Sequence, residues 1–418
     1  MVSQSGIENF RASLRCQSLC PGEPGYDAAR GIHNATIERR PAIIARCAGA
    51  ADVISCVRFA REHDLLVSVR GGGHSIAGKA VCDGGLMIDL SGMKGIRVDP
   101  AKRTVRAEPG LTLGEFACDN VISVDIVTTD GQLVIASATE NDDLFWGVRG
   151  GNGNFGVVTS LEYRLHEIGP VLAGGVLYPI EKAREVLQFF REFARSCPDE
   201  LSTQALTFEM PGLGPAVAIG GCYCGSITEG EKILRPLRTF GSPVADLFGV
   251  MPYVQLQSMF DAFFPPGRYD YTKANFLKSL TDEAIDVFGE YATAPSPYTF
   301  GVIEHLEGAF SRIGTKENAF PHRQHPYNFS IWASWADPAD SEKNITWTRK
   351  FWEAMRPFMG AGAYVNYLED EADPQGREAY GPSYERLVAL KDKYDPTNFF
   401  RMNHNIKPSR PQPAASAA

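Results

Sequence analysis

The run Val69-Arg70-Gly71-Gly72-Gly73-His74-Ser75-Ile76-Ala77-Gly78 carries the residue types best able to grip an anion. Three consecutive glycines remove side chains and leave backbone N–H groups free to converge on negative charge. His74 stands at the edge of that cradle, and the apolar strand expected over 65–69 leads into it. The chemistry implied is the binding of a phosphate-bearing cofactor that the imidazole touches or bonds. A tight glycine turn with an ordinary surface histidine is the competing reading. A second segment, 144–156, contains Gly151, Gly153 and Gly156 in the spacing G-x-G-x-x-G. A dinucleotide-binding turn would have to open a helix. Here Val157 and Val158 begin the alternating, β-branched stretch 157–165, so a strand follows and the Rossmann reading fails. These glycines instead let backbone approach a flat ligand closely; an aromatic-rich turn is the alternative.

The elements that would position these residues are legible in outline. A strand is expected over 42–46 and a helix over 51–63, with Val53, Ile54, Val57 and Ala60 on one face. After the strand 65–69 and its loop come short strands over 86–90, 96–99 and 104–108. A βαβ unit followed by a run of strands predicts an α+β fold with two parts. From 180 onward the pattern changes to a sheet covered by helices. Helices are expected over 181–196, 229–239, 341–357 and 383–394, and strands over 204–209, 216–223 and 327–335. The implied division is an N-terminal segment 1–36, a first domain 37–168, a second domain 169–392, a returning segment 393–408 and a disordered tail 409–418.

Composition narrows the partners. At 418 residues the chain exceeds one ordinary core. A net charge of −9 with no basic block argues against nucleic acid and against an anionic membrane. No apolar run approaches the roughly 18 residues a bilayer span requires. The first ten residues lack the basic and apolar regions of a secretory signal, so a cytoplasmic location is expected. The nine cysteines are scattered without paired metal-ligand spacing, so no metal is expected and reduced thiols are the default. A small-molecule substrate is the partner left.

Six segments together resemble the berberine-bridge-enzyme-like branch of the flavin oxidoreductases with the PCMH-type FAD domain (the vanillyl-alcohol oxidase superfamily). They are VRGGGHSIAG at 69–78, GGLMIDLS at 84–91, EPGLTLGEF at 108–116, the run 140–165, AYVNYLED at 363–370 and KYDPTNFFRMNHNI at 393–406. The resemblance implies a two-part PCMH-type domain holding FAD and a substrate domain of antiparallel sheet covered by helices. It implies pyrophosphate contacts from the backbone of the loop Arg70, Gly71, Gly72, Gly73 and Ser75, cofactor binding also at Gly78, and a covalent bond from His74 to the flavin. Gly150, Gly151, Gly153, Asn154, Gly156, Val157 and Val158 would line the adenine and diphosphate side, with Asn403 and Asn405 returning to the same domain. The implied activity is an oxidase or dehydrogenase moving a hydride from an alcohol- or amine-type metabolite to flavin, with O2 as a possible acceptor. The base would be Tyr364 or Tyr367, with Lys273 a possible helper. Strand alternation would place Tyr364 and Asn366 on one face and Tyr367 on the other.

The chain departs from that pattern between Phe116 and Asn120. A helix opened at Thr112 has no body before the strand over 121–128 begins. Relatives carry several tens more residues here, including a glycine-rich run against the flavin ring. The alternative function is therefore a degenerate member acting as a non-catalytic scaffold.

Overall fold

In a computed structural model that describes residues 2–111, 118–210, 214–261, 264–369 and 374–410, the chain divides into two units. The first comprises Met1–His166, Thr315–Pro321 and Asp370–Ala418; the second comprises Glu167–Gly314 and His322–Glu369. Residues 370–392, expected in the second domain, fall in the first. Their helix Tyr384–Tyr394 is tied there by buried polar contacts described below.

The first unit has two sheets. In one, β1 (Ser18–Leu19), β2 (Ile43–Arg46), β3 (Val67–Arg70) and β4 (Leu86–Asp89) lie in the order β1-β2-β4-β3. The pairs β2–β4 and β4–β3 are parallel. The helix Ala50–Glu62 makes the crossover, burying Val53, Cys56, Val57 and Ala60 against Ile43, Ala45, Leu86 and Ile88. Ile54 is only partly buried. The other sheet is antiparallel: β5 (Ile96–Asp99), β6 (Thr104–Ala107), β7 (Val121–Val127), β8 (Leu133–Ser137) and β9 (Val157–Arg164), ordered β5-β6-β9-β7-β8. Val127 and Val157 join the core under the crossover helix, as do Phe399 and Phe400 from the C-terminal segment. The expected helix start at Thr112 and the position Phe116 lie outside the described residues. Cys118–Asn120 is a single 3-10 turn leading into β7.

The helix Asp142–Val148 carries Asp143, which accepts hydrogen bonds from Lys393 Nζ (2.5 Å), Tyr394 Oη (2.8 Å) and Leu144 N. Burial alone would raise its pKa, but these three donors outweigh burial and hold it below the usual carboxylate value. A depressed carboxylate stabilises the fold above its unfolded pKa, near 3.9, and loses that contribution as pH falls through the folded value. Asp143→Asn should therefore lower thermal stability at pH 7, with the gap to the parent closing below about pH 4. A gap unchanged between pH 7 and pH 2 would contradict this.

The second unit is built on one antiparallel sheet: β10 (Val171–Pro179), β11 (Leu201–Met210), β12 (Gly214–Tyr223), β13 (Ala245–Asp246), β14 (Gly249–Met251), β15 (Tyr269–Leu277), β16 (Phe300–His305) and β17 (Tyr327–Trp335). The order is β13-β10-β12-β11-β16-β17-β15, with β14 added beside β10. One face is apolar. Val176, Val217, Ile219, Ala205, Ile303, Phe329, Ile331 and Leu277 pack against the helices Ala183–Ala194, Ile227–Thr239, Asp282–Glu290 and Ser341–Met355. Because strand side chains alternate, the other face takes the even-numbered residues of β15, β16 and β17. The register sets Thr272, Trp332 and Phe300 in one cross-strand row, Ala274, Ser330 and Val302 in the next, and Phe276, Asn328 and Glu304 in the third.

Candidate functional site

The glycine loop leaves β3 at its carboxyl end, where β2 and β4 also finish and where ligands of parallel sheets are held. Gly73 has φ +76°, a left-handed conformation that side chains resist, and its carbonyl accepts from His33 N at 3.0 Å. Gly71 approaches the Pro109 carbonyl, Gly72 is exposed, and Gly78 closes the loop beside Ile37. Ser75 Oγ accepts from Lys79 N and so holds the turn that follows. The Arg70 guanidinium donates through Nη1 to the Ala29 carbonyl at 2.6 Å, while its buried Nε has no partner. His74 is exposed to solvent, with its ring 5.3 Å from that of His33. Partial burial first, then His33 and the Arg70 cation, lower its pKa, so the imidazole is neutral over more of the physiological range. A neutral ring nitrogen is the form that can act as a nucleophile.

The second glycine segment is held from behind. Gly150 has φ +125°, and a Cβ there would lie 2.4 Å from Phe320 N, so no other residue fits. Asn154 is fully buried. Its Nδ2 donates to the carbonyls of Gly151 and His404 and to Tyr380 Oη, and its Oδ1 accepts from Ile406 N. Val157 and Val158 are indeed strand residues of β9, paired with Val127 and Ile126. The Val157 side chain belongs to the core, so it offers a ligand only its backbone. Gly151 and Gly156 pack closely on protein, whereas a Cβ at Gly153 would meet nothing within 4 Å.

Behind this segment lies a feature that the sequence analysis missed. Lys391, fully buried, donates to Asp395 Oδ2 (2.6 Å), the Asn154 carbonyl (2.8 Å) and the Phe400 carbonyl (2.9 Å). Asp395, equally buried, accepts from Phe399 N and Phe400 N. Asn403 Nδ2 donates to the carbonyls of Gly153 and Phe400. The glycine segment and the C-terminal segment thus form one hydrogen-bonded block. A lysine and an aspartate four apart on the buried side of a helix, beside Leu387 and Leu390, was the available signal.

The oxygens Asn403 Oδ1 and Asn405 Oδ1 are buried with no hydrogen-bond partner. A buried orphan acceptor costs about 1–3 kcal/mol unless something donates to it. A glycine loop at the carboxyl end of a parallel sheet, an open glycine and two orphan amide oxygens fit a ligand with a diphosphate and donor-bearing rings, which is what FAD offers.

The tyrosine segment lies in the second unit. Val365–Tyr367 is a 3-10 turn, not a strand, so the expected alternation does not apply. Asn366 Nδ2 donates to Tyr364 Oη at 2.7 Å, and the Tyr364 and Tyr367 rings meet edge to face at 5.0 Å. Tyr367 also meets Trp332 at 5.1 Å. The structure brings Tyr364, Asn366 and Tyr367 together rather than splitting them. Lys273 is a correction: it lies in β15 on the helix-covered side, its Nζ 5.2 Å from the Trp352 ring, away from the face carrying Trp332. Glu304 accepts from Asn328 Nδ2, and the His322 ring lies tilted against Phe276, centroids 5.1 Å apart.

Comparison with known proteins gives two family matches, a FAD binding domain over residues 41–118 and a berberine and berberine-like domain over 363–407. A FAD-linked oxidoreductase of Dictyostelium discoideum is 30% identical over 421 residues, covering 90% of each chain. The (R)-6-hydroxynicotine oxidase of Paenarthrobacter nicotinovorans is 27% identical over 454 aligned positions, covering 95% of this chain and 97% of the relative. Since this chain has 418 residues, that relative has several tens of residues without a counterpart here. The crystal structure of 6-hydroxy-D-nicotine oxidase from Arthrobacter nicotinovorans superposes with a TM-score of 0.87 at 25% identity, covering 94% of this chain and 98% of that one.

Proposed function

The chain belongs to the berberine-bridge-enzyme-like FAD-linked oxidoreductases, and from that premise we propose that His74 holds the flavin covalently and that Tyr364 takes the substrate proton. The protein is a FAD-dependent oxidoreductase acting on CH–OH or CH–NH groups of a small molecule. When bound, FAD supplies the two-electron acceptor that draws a hydride from the substrate carbon. Backbone N–H groups of 71–75 would hold its diphosphate, and Asn403 Oδ1 and Asn405 Oδ1, which lack partners in the protein, would accept from its donor groups. Tyr364 Oη removes the proton of the alcohol or amine. Asn366 Nδ2 already donates to that oxygen, the atom that must carry negative charge once the phenol has given up its own proton. Tyr367, wedged between Tyr364 and Trp332, fixes the angle of the Tyr364 ring. Molecular oxygen as final acceptor and a cytoplasmic location, in keeping with nine free thiols, complete the reading.

What supports the covalent assignment is an exposed imidazole beside the left-handed turn at Gly73, with its pKa held below the ordinary histidine value by partial burial. Acid-denatured protein should stay yellow, with the flavin mass on the peptide containing His74. A colourless chain without that mass defeats the reading. His74→Ala should keep flavin while folded and release it on denaturation; retention after denaturation places the link elsewhere. Oxygen uptake with peroxide release tests the acceptor.

We also propose that the chain is shortened at 116–120. The surplus of aligned positions in the nicotine oxidase supports it, as does the FAD-domain match ending at Cys118. A shorter wall leaves bound flavin more open to water, so iodide should quench its fluorescence in the His74→Ala protein nearly as well as that of free FAD.

A further inference from the structure

Two cysteines face each other where the N-terminal segment joins the parallel sheet of the first unit. β1 and β2 run antiparallel, with Ser18 opposite Ala45 and Leu19 opposite Ile44. Carried two residues further, that register sets Cys16 opposite Cys47. Between the two pairs, the Arg46 N–H donates to the Gln17 carbonyl at 2.9 Å. A hydrogen-bonded pair at 17 and 46 makes 16 and 47 a non-hydrogen-bonded pair, the kind whose side chains lie closest across an antiparallel ladder. The far side is held too. Asp52, a buried residue, accepts from the Arg15 N–H at 2.9 Å through Oδ1 and from the Ala48 N–H at 3.0 Å through Oδ2. One carboxylate thus clamps the residue before Cys16 to the residue after Cys47.

Non-hydrogen-bonded pairs hold their Cα atoms about 4.5 Å apart, inside the roughly 4.4–6.8 Å that a disulfide spans. The backbone therefore need not move to join the two sulfurs. Cys47 is fully buried, and its Sγ also lies 3.8 Å from that of Cys56, buried on the crossover helix. Cys16 is only partly buried, so it is the member of the trio that a dissolved reagent reaches. Its hydrogen bond to Cys47, then burial, raise its pKa, so thiolate is scarce and exchange at this sulfur is slow. The segment that follows Cys16 supports the glycine loop. The Ala29 carbonyl accepts from Arg70 Nη1, and the His33 N–H donates to the Gly73 carbonyl.

We infer that Cys16 and Cys47 are a modification site, a reversible disulfide that staples the N-terminal segment to β2 and is closed by exchange with a low-molecular-weight disulfide. The Cys16 thiolate attacks that small disulfide, forms a mixed disulfide and releases one small thiolate. The Cys47 thiolate then attacks the Cys16 sulfur, closing the Cys16–Cys47 bond and releasing the second small thiolate. Two protein thiols lose two electrons and two protons, and the small disulfide takes them up as two thiols. Because exchange is slow, the staple follows the sustained redox poise of its surroundings and ignores brief pulses of oxidant. Closing a loop of about 30 residues stabilises the fold by restricting the unfolded chain.

The test equilibrates the purified full chain at pH 8.5 with oxidised or with reduced glutathione, alkylates the remaining thiols in denaturant and locates each sulfur by peptide fragmentation in a mass spectrometer. In oxidised glutathione a Cys16–Cys47 disulfide should accumulate in most molecules, and reduced glutathione should remove it. The midpoint of thermal unfolding should rise with it by about 5 °C or more. Amide exchange over residues 17–20 should slow at least threefold. Cys56→Ala should keep the disulfide and both effects. Cys16→Ser, a change at a partly exposed position, should unfold within 2 °C of the reduced parent and respond to neither buffer. A disulfide between Cys47 and Cys56 overturns the inference. So does glutathione left on Cys16 with no crosslink, or all three thiols alkylated after the oxidising incubation. A Cys16–Cys47 disulfide that leaves both the unfolding midpoint and amide exchange unmoved overturns the staple.

Discussion

Lys391→Met should destabilise the first unit by about 3–5 kcal/mol, the cost of leaving a buried charge without its partner. Lys391 and Asp395 are both fully buried, 2.6 Å apart. Burial pulls the ammonium pKa down, and Asp395 pulls it back up without fully cancelling the shift. The pair is therefore a weak source of net stability when intact but expensive to halve. Methionine also strips a donor from the carbonyls of Asn154 and Phe400, both buried residues. For a unit of this size the midpoint of thermal unfolding should fall by roughly 10 °C. A change under 2 °C would show that the pair is replaceable. The same variant in a His74→Ala background should lose non-covalent FAD, because Asn154 and Asn403 take their positions from this block. Tyr380→Phe separates the two effects. It removes the hydroxyl that bonds the His404 carbonyl and Asn154 and should loosen FAD with a far smaller fall in stability.

The sequence carried the βαβ unit plainly, because Val53, Val57 and Ala60 repeat at helical spacing between two short apolar runs that both become parallel strands. It also carried the strand after Gly156, since β-branched residues alternate there. What it hid has physical causes. The helix Gln4–Ser13 buries only Phe10, so it shows little apolar periodicity; Ser3 starts it by accepting from Gly6 N. Strands β15 and β16 sit among prolines and aromatics that read as loop, yet the sheet ladder with β17 overrides that local signal. The tyrosine segment was misread for the opposite reason: its alternating residues look like a strand, but the backbone closes a 3-10 turn that brings Tyr364 and Tyr367 edge to face. The residues proposed for the cofactor could be named from sequence because glycine and histidine declare themselves by type. Lys391 could not, because its contacts come from where the fold buries it.

Tyr364→Phe should lower the rate of flavin reduction by 10²- to 10⁴-fold, the usual range for losing a positioned general base, or about 2.7–5.5 kcal/mol in the barrier. The ring and its edge-to-face contact with Tyr367 survive the change, so substrate affinity and flavin content should stay within threefold. Only the oxygen that receives the Asn366 hydrogen bond is lost. Anaerobic stopped-flow with the alcohol or amine substrate reads this step apart from reoxidation. Tyr367→Phe keeps its ring between Trp332 and Tyr364 and should cost no more than about threefold. Asn366→Ala should fall between the two, since it leaves the phenol in place but removes the donor that supports its charge. If Tyr367→Phe is the slower enzyme, the two tyrosines exchange roles. If both reduce flavin at the parental rate, proton removal belongs to another group on this face. The side chains to replace next are then Glu369, whose Oε1 accepts from Thr272 N beside Trp332, and Glu304, in the row with Asn328.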